Sequence, residues 1–305
     1  MPRIFIDGDS GTTGLEIRER LAGRTDLEIV SIARELRKDV DAKRELLAGA
    51  DVAILCLPDD AARETVRLCD ELGARAPRLL DASTAHRVAP DWVYGFAELA
   101  PGQAERIAAA ARVANPGCYA TGAIALLRPL VDAGFIDAGV ALTINAVSGY
   151  SGGGRQMIEA YEANEAPPFE LYALGLEHKH LPEIAAFARL SAAPLFVPSV
   201  GNFRRGMLVS IPLHLDALPG RPRAADLESA LGRHYAGASH VRALPAPPAA
   251  RLDATALNGT DDMELYVFAN EAKRQAVLAA RLDNLGKGAS GAAVQNLALM
   301  LGARG

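Results

Sequence analysis

Arg3-Ile4-Phe5-Ile6-Asp7-Gly8-Asp9-Ser10-Gly11-Thr12-Thr13-Gly14-Leu15-Glu16-Ile17-Arg18-Glu19-Arg20-Leu21 passes from a short apolar run through a glycine turn into a helix-like stretch. The order strand, turn, helix predicts the opening unit of a parallel α/β sheet. Glycines at 8, 11 and 14 let backbone approach a pyrophosphate, and the N-terminus of the helix that follows faces its charge. The spacing is G-x-x-G-x-x-G, which departs from G-x-G-x-x-G, and a plain tight turn fits the glycines as well. Gly8, Gly11, Thr12, Thr13 and Gly14 are the candidate cofactor contacts.

Working outward, residues 27–32, 51–57 and 78–81 read as further strands, and helical patterns lie between them, notably over 61–72. Strands that alternate with helices predict a doubly wound parallel sheet. An NAD-specific site usually carries Asp or Glu after the second strand to bind the ribose 2′-OH. Here the chain offers Ser31, Ala33 and Arg34, with Arg37 and Lys38 close behind. That favours a 2′-phosphate, so Ser31 and Arg34 are read as contacts to NADP(H), with a solvated surface arginine as the alternative.

Beyond Cys118 the texture changes. Residues 141–147, 196–200, 207–215 and 264–269 look like longer strands separated by wider connections. They predict an α+β second domain with a mixed or antiparallel sheet. Leu244-Pro245-Ala246-Pro247-Pro248 is too rich in proline for regular structure and reads as a surface loop. After Asn284 a glycine-rich turn leads into an apolar helix over 292–301 that returns to the first domain. The expected division is 1–117 with 285–305 for the dinucleotide domain and 118–284 for the catalytic and oligomerisation domain.

The chain has 305 residues, half of them apolar, and a formal net charge of -5. No Lys/Arg run is sustained, so nucleic acid and anionic membrane surfaces are not expected partners. No stretch reaches signal-peptide or membrane-span length, which points to the cytoplasm. Three cysteines, Cys56, Cys69 and Cys118, suit neither a disulfide framework nor a zinc site and read as free thiols. Lys287 lacks the preceding spacing of a nucleotide-triphosphate loop.

In Asn115-Pro116-Gly117-Cys118-Tyr119-Ala120-Thr121 a loop becomes a helix, with apolar residues following at helical spacing. Pro116 and Gly117 do not extend that helix backwards. Cys118 therefore falls at its first turn, where unpaired N–H groups and the positive dipole end stabilise a thiolate. A small core cysteine near a turn is the competing reading. His178 and His180 stand in Glu177-His178-Lys179-His180-Leu181-Pro182-Glu183-Ile184, just before a helix begun by Pro182. A thiolate that forms and collapses tetrahedral adducts needs an acid–base partner, and imidazole supplies one near neutrality; ordinary surface or packing histidines are the competing reading. No third ligand accompanies the histidine pair, so no metal is expected. The loops 81–87, with Ser83, and 148–155, with Ser148, Gly149 and Arg155, follow strands and are candidate cofactor and substrate contacts, with a plain turn as the alternative for each.

The glycine turn, Asn115-Pro116-Gly117-Cys118-Tyr119, Ser148-Gly149, the 178–184 segment, Arg205-Gly206-Met207 and the stretch 283–296 resemble, in order, the N-acetyl-gamma-glutamyl-phosphate reductase family. The length, the Ile6-Asp7-Gly8 opening and Asn258-Gly259-Thr260 look like its shorter form, whereas the longer form usually has an aromatic where Thr13 stands. The resemblance implies NADPH-dependent reduction of N-acetyl-glutamyl 5-phosphate to the 5-semialdehyde, in arginine biosynthesis; the alternatives are a reductase of aspartyl phosphate or an aminoadipyl phosphate derivative, and a non-catalytic NADP-sensing protein. It also implies a Rossmann domain joined to a dehydrogenase-type α+β domain, in a homo-oligomer, dimer or tetramer. Cys118 then attacks the acyl phosphate to give a thioester, and His180 is the general acid/base by carry-over, with His178 second to it and near the substrate. Asn115 is assigned to the oxyanion, Asn296 to the cofactor, and Arg155, Arg204 and Arg205 to the substrate carboxylate or phosphate.

Overall fold

The computed structural model describes residues 1–302. The chain divides into two compact units, one of Met1–Ala97, Gly102–Pro116 and the chain from Ala289 on, the other of Glu98–Pro101 and Gly117–Gly288. The division thus falls a few residues from the expected boundaries and hands Glu98–Pro101 to the second unit. Residues 303–305, expected in the first, lie outside the described residues.

In the first unit, strands β1 (Arg3–Asp7), β2 (Glu28–Val30), β3 (Val52–Leu55), β4 (Arg78–Asp81), β5 (Val93–Tyr94) and β6 (Arg112–Ala114) form one sheet in the order β2-β1-β3-β4-β6-β5. Every neighbouring pair runs parallel. The continuous apolar run of β1 follows from burial on both faces, as parallel sheets require. Ile4 and Ile6 join a core with Ile17 and Leu21 of helix α1 (Thr12–Leu21) and with Ala293, Leu297 and Met300 of the C-terminal helix (Gly291–Met300). Phe5 points the other way, into a core with Leu47 of α2 (Val40–Ala48) and Ala62, Val66, Cys69 and Leu72 of α3 (Asp59–Leu72). Because β2 and β3 flank β1, the strand order reverses there, and the ends of β1 and β3 open a crevice where ligands bind in such sheets.

Local signals place the helix ends. Asp39 caps α2 by accepting the N–H groups of Asp41 and Ala42 at 2.9 and 3.0 Å. Arg78 gathers carbonyls at the other kind of end: those of Ala108 and Ala110, closing α4 (Gln103–Ala109), and that of Met300 in the C-terminal helix. A half-buried guanidinium is thereby matched to helix C-termini that lack intrahelical partners.

The second unit is built on α5 (Cys118–Asp132), whose residues from Tyr119 to Leu130 are all buried, as a helix apolar all round should be. Gly122 lets it approach the sheet, since a Cβ there would lie 2.8 Å from Val209 Cγ2. The sheet has strands β7 (Thr143–Gly149), β8 (Phe169–Leu171), β9 (Leu195–Gly201), β10 (Met207–His214), β11 (Val241–Ala243), β12 (Met263–Asn270) and β13 (Gln275–Leu282) in the order β11-β12-β13-β10-β7-β9-β8. It is mixed: β7 with β9 and β11 with β12 are parallel, the other pairs antiparallel. The remaining helices are α6 (Gly154–Glu162), α7 (Leu181–Phe187) and α8 (Ala224–His234). Along β10, Met207, Val209, Ile211 and Leu213 turn inward and are buried. Leu208 and Ser210 point to the opposite face, where a groove of about 670 Å³ is lined also by Phe169, Leu171, Phe268 and Val277. Residues 244–248 form an irregular loop, as their prolines predict.

Candidate active site

The glycines of the first turn divide their work. Gly8 has φ +90°, and a Cβ there would lie 2.3 Å from Cys56 O. At Gly14 it would lie 2.4 Å from Gly8 O, so this glycine lets α1 pack against the turn. At Gly11 the nearest atoms are 3.5 and 3.9 Å away, and the space above its backbone is open. The first bond of α1 runs from Leu15 N–H to Gly11 O at 2.9 Å. The N–H groups of Thr12, Thr13 and Gly14 precede it, the usual arrangement for receiving an anion. Beside the turn lies a cavity of about 530 Å³ whose walls include Gly8, Ser10, Gly11, Ile32, Arg37, Lys38, Lys43 and Cys56. Asp7, Asp39 and Glu64 line it too, Asp7 paired with Lys43 at 2.8 Å and Asp39 occupied as the cap of α2, so close backbone, open volume and the side chains of Arg37 and Lys38 fit the phosphate-bearing half of a dinucleotide.

Of the residues expected at the ribose, Ser31 is half-buried and Arg34 is exposed in a short 3₁₀ turn, Arg34–Leu36. Neither is among the residues lining the cavity, whereas Arg37 and Lys38, one turn further on, are. Ser83 is buried, and its hydroxyl donates to Asp81 Oδ2 at 2.8 Å. The same carboxylate holds His86 Nδ1 at 2.6 Å, and the His86 ring stacks on Trp92. Asn296 is fully buried. Its Nδ2 donates to Gly95 O at 2.8 Å and to Asn115 Oδ1 at 3.0 Å, while its Oδ1 has no hydrogen-bond partner among the described residues. A buried acceptor left open is costly in an apolar interior and suits a ligand amide N–H. Gly95 is required here, because a Cβ would lie 2.4 Å from Asn296 Nδ2. Asn115 is also buried and donates from Nδ2 to Ala289 O at 3.0 Å, and its carbonyl accepts from buried Arg87 Nε at 3.0 Å.

In the second unit Cys118 is the first residue of α5, with Gly117 at the cap and Thr121 N–H bonding back to Gly117 O at 2.8 Å. The N–H groups of Cys118, Tyr119 and Ala120 come before that bond. Gly117 N–H donates instead to Glu183 Oε2 at 3.1 Å, and Glu183 is only 1% exposed. His180 caps α7, and its own N–H donates to His178 Nδ1 at 3.1 Å. A neutral His178 ring accepting there carries its proton on Nε2. The two imidazoles meet edge to face at 4.6 Å between centroids, and Tyr119 packs edge-on against both, at 5.8 and 5.9 Å. The histidine pair therefore sits against the first turn of the cysteine helix. Tyr119 donates to Ser199 O at 2.9 Å, and burial holds its hydroxyl in the neutral form.

Asn284 joins the loops beyond. It donates to Ser151 Oγ at 2.9 Å and accepts Gly206 N–H at 2.9 Å. Ser148 is buried with its hydroxyl on Gly149 O at 2.9 Å. Gly149 allows residues 203 and 204 to close in, since a Cβ would lie 2.7 Å from their backbone atoms. Arg204 pairs with Glu162 at 2.5 Å, and Arg205, more enclosed, lies 3.9 Å from buried Asp283. Arg155 is exposed near the start of α6. Among the described residues no group of three or more metal-ligating side chains occurs, and no helix is long and apolar enough to cross a membrane.

The burial of Glu183, Arg87 and the Lys287–Glu98 ion pair, at 2.7 Å with Lys287 1% exposed, was not legible in the sequence. A charged residue next to a motif is ordinarily solvated, and only tertiary packing reveals otherwise. Gly288 closes the same stretch onto Cys118, where a Cβ would lie 3.0 Å from Cys118 Cβ. The cysteines separate by environment. Burial, then the carboxylates of Asp81, Asp7 and Asp9, push Cys56 up to about 12, and burial pushes Cys69 up to about 11. Both stay protonated at neutral pH. Iodoacetamide at pH 7 should accordingly label Cys118 well ahead of Cys56 and Cys69, with the other two gaining only in strong alkali. Peptide mapping that finds equal labelling at pH 7 contradicts an activated Cys118.

Comparison with known proteins agrees with both halves. Residues 3–107 match the NAD binding domain of semialdehyde dehydrogenase and residues 118–284 its dimerisation domain. An aspartate semialdehyde dehydrogenase II of Vibrio cholerae, solved with ASA, superposes with a TM-score of 0.74 over 99% of this chain and 98% of that one, at 15% identity. The enzyme of Candida albicans, solved with NADP, gives 0.69 at 14% identity over 99% of each. These likenesses establish the fold. N-acetyl-gamma-glutamyl-phosphate reductases of Brucella ovis and Brucella anthropi are each 54% identical over 99% of both chains. With that identity over 99% of its length, and with Cys118 heading the buried helix, the chain belongs to the N-acetyl-gamma-glutamyl-phosphate reductase family.

Proposed function

We propose that the chain reduces N-acetyl-glutamyl 5-phosphate to N-acetyl-glutamate 5-semialdehyde with release of phosphate, the third chemical step of arginine biosynthesis, with NADPH as reductant. The observation that carries the mechanism is Cys118 at the first position of α5, with His180 packed on the same turn through Tyr119.

Helix N-terminal N–H groups stabilise the Cys118 thiolate, which attacks the acyl carbon. The N–H groups preceding the first helical bond, with Asn115 assisting, receive the charge that develops on the carbonyl oxygen. Phosphate departs and an acyl thioester remains on sulfur. NADPH, when bound, supplies the hydride that reduces this carbon. His180 gives a proton to the oxygen of the resulting thiohemiacetal and takes it back as the C–S bond breaks, returning aldehyde and thiolate. Its backbone bond to His178 fixes where the imidazole starts. Arg205, with Arg204 and Arg155, meets the substrate carboxylate or the phosphate, for which guanidinium geometry is suited. Ser148 and Gly149 shape the loop that carries them.

For the dinucleotide, Gly8, Gly11, Thr12, Thr13 and Gly14 would hold the diphosphate, and Ser83 and the open Asn296 Oδ1 would be further contacts, the latter as an acceptor for an amide N–H. Free thiols suit a reducing compartment, and we place the enzyme in the cytoplasm. The open apolar face of the second sheet, where Phe169 is 56% and Leu171 49% exposed, is the surface through which copies pair. The substrate is tested by running the reaction backwards. With NADP⁺ and phosphate, the purified protein should oxidise N-acetyl-glutamate semialdehyde far better than aspartate semialdehyde or the aminoadipate homologue. A preference for either of those overturns the assignment. One methylene is worth only ~1–3 kcal/mol of discrimination, so the panel must compare kcat/KM and not mere turnover.

A further inference from the structure

Arg37 is tied to the glycine turn through both ends of its guanidinium. Nη1 donates to Ser10 Oγ at 3.0 Å and Nη2 to Asp9 Oδ1 at 3.0 Å. The arginine, though its side chain is 39% exposed, is therefore held along the turn, and it lines the cavity beside Lys38. Asp9 is the unexpected member. A carboxylate inside a turn that receives an anion opposes that anion, unless its charge is matched. Here it is matched twice, since its side chain is 8% exposed and Oδ2 is held by Arg18 Nη1 at 3.3 Å. Because Arg18 remains on Asp9, a second anion on Arg37 does not leave the carboxylate unbalanced. Holding a long, flexible side chain in place beforehand also removes an ordering cost from binding. Both arginines are exposed, but Arg34 is not tied to the turn and lies outside the cavity wall.

We propose that Arg37 reads the 2′-phosphate of NADP(H), and that Asp9, with Ser10, is the positioning residue that holds Arg37 for it, so that an acid within the turn favours the phosphorylated dinucleotide. This rests on the NADP reading above. A guanidinium has N–H donors to spare beyond the two bonds to the turn, and these meet phosphate oxygens.

Direct calorimetric titration of the full chain with NADP⁺, NAD⁺, 2′,5′-ADP and 5′-AMP separates the parts. Arg37→Leu should weaken NADP⁺ and 2′,5′-ADP by ~10–100-fold, the range for losing hydrogen bonds to a charged group, and leave NAD⁺ and 5′-AMP within about twofold. Arg34→Leu should change none of the four by more than about threefold, a loss smaller than one such bond. Asp9→Ala should weaken only the two 2′-phosphorylated ligands, and Asp9→Asn, which keeps an acceptor for Arg37, should restore part of the loss. A large loss at Arg34→Leu with none at Arg37→Leu overturns the assignment. Tighter NADP⁺ binding by Asp9→Ala overturns the positioning role, since it makes Asp9 a competitor. Equal weakening of all four ligands shows a damaged turn and overturns it too. A wild-type protein that binds NAD⁺ as well as NADP⁺ removes the cofactor reading itself, before any variant is compared.

Discussion

Cys118→Ala should abolish turnover, with kcat/KM falling by on the order of 10⁴-fold or more, the scale for removing a covalent nucleophile. Binding of NADP⁺ should stay within about twofold, because the proposed dinucleotide contacts, on the glycine turn, at Arg37 and on the C-terminal helix, do not include the Cys118 sulfur. The expectation follows from position. Gly117 ends the loop, Cys118 begins α5, and the helix behind it is buried from Tyr119 to Leu130, so an alanine leaves the scaffold intact and removes only sulfur. Cys118→Ser is the stricter version, since it keeps the shape and a poorer nucleophile. Turnover in Cys118→Ala above one-tenth of wild type, measured as NADP⁺-dependent oxidation of the semialdehyde with phosphate, contradicts covalent catalysis.

His180→Asn should lower kcat by ~10²–10⁴-fold, the usual contribution of a positioned acid/base. The readout that separates chemistry from packing is the pH profile. The limb that follows imidazole titration in the wild type should vanish in the variant, whereas a merely structural loss lowers the profile and preserves its form. His178→Asn should be milder. Its Nδ1 accepts the His180 N–H, so the variant tilts the cap of α7 but leaves the imidazole of residue 180 in place. A profile that keeps both limbs in His180→Asn and loses one in His178→Asn exchanges the roles of the pair.

How much of this was legible beforehand depends on the scale at which each feature is decided. The β1-turn-α1 unit is local, and alternation of apolar runs with helical spacing predicted a parallel sheet that the structure contains. The cysteine helix was likewise visible, because Pro116 and Gly117 end one kind of backbone and the residues after Tyr119 begin another. Strand β13 was missed. Gln275-Ala276-Val277-Leu278-Ala279-Ala280-Arg281-Leu282 is alanine-rich and carries little strand preference, and it becomes a strand because β10 and β12 pair with it on either side. Strands β5, β6, β8 and β11 have two or three residues each, too few for a period to register.

Within the site, residue types were easier to read than placement. Arg34 and Arg37 are interchangeable in composition, and only the 3₁₀ turn at Arg34–Leu36 sets which of them meets the cavity. Asn296 and Gly95 are far apart in the chain yet mutually dependent, and no spacing rule links them. Glu183 follows the histidine pair in sequence, where spacing alone gives it no role. Its burial and its bond to Gly117 N–H mark it as a brace of the loop that delivers Cys118.

The proposed reaction depends on an acyl group becoming bonded to the Cys118 sulfur. Mixing wild-type protein with N-acetyl-glutamate semialdehyde and NADP⁺, while withholding phosphate, stops the reaction once that bond has formed; acid quenching and peptide mass spectrometry then locate it. One N-acetyl-glutamyl increment is expected on the peptide containing Cys118, removed by added phosphate and absent in Cys118→Ala; covalent catalysis at Cys118 requires it. NADPH formation with no increment on that peptide, or with the increment on another residue, contradicts it.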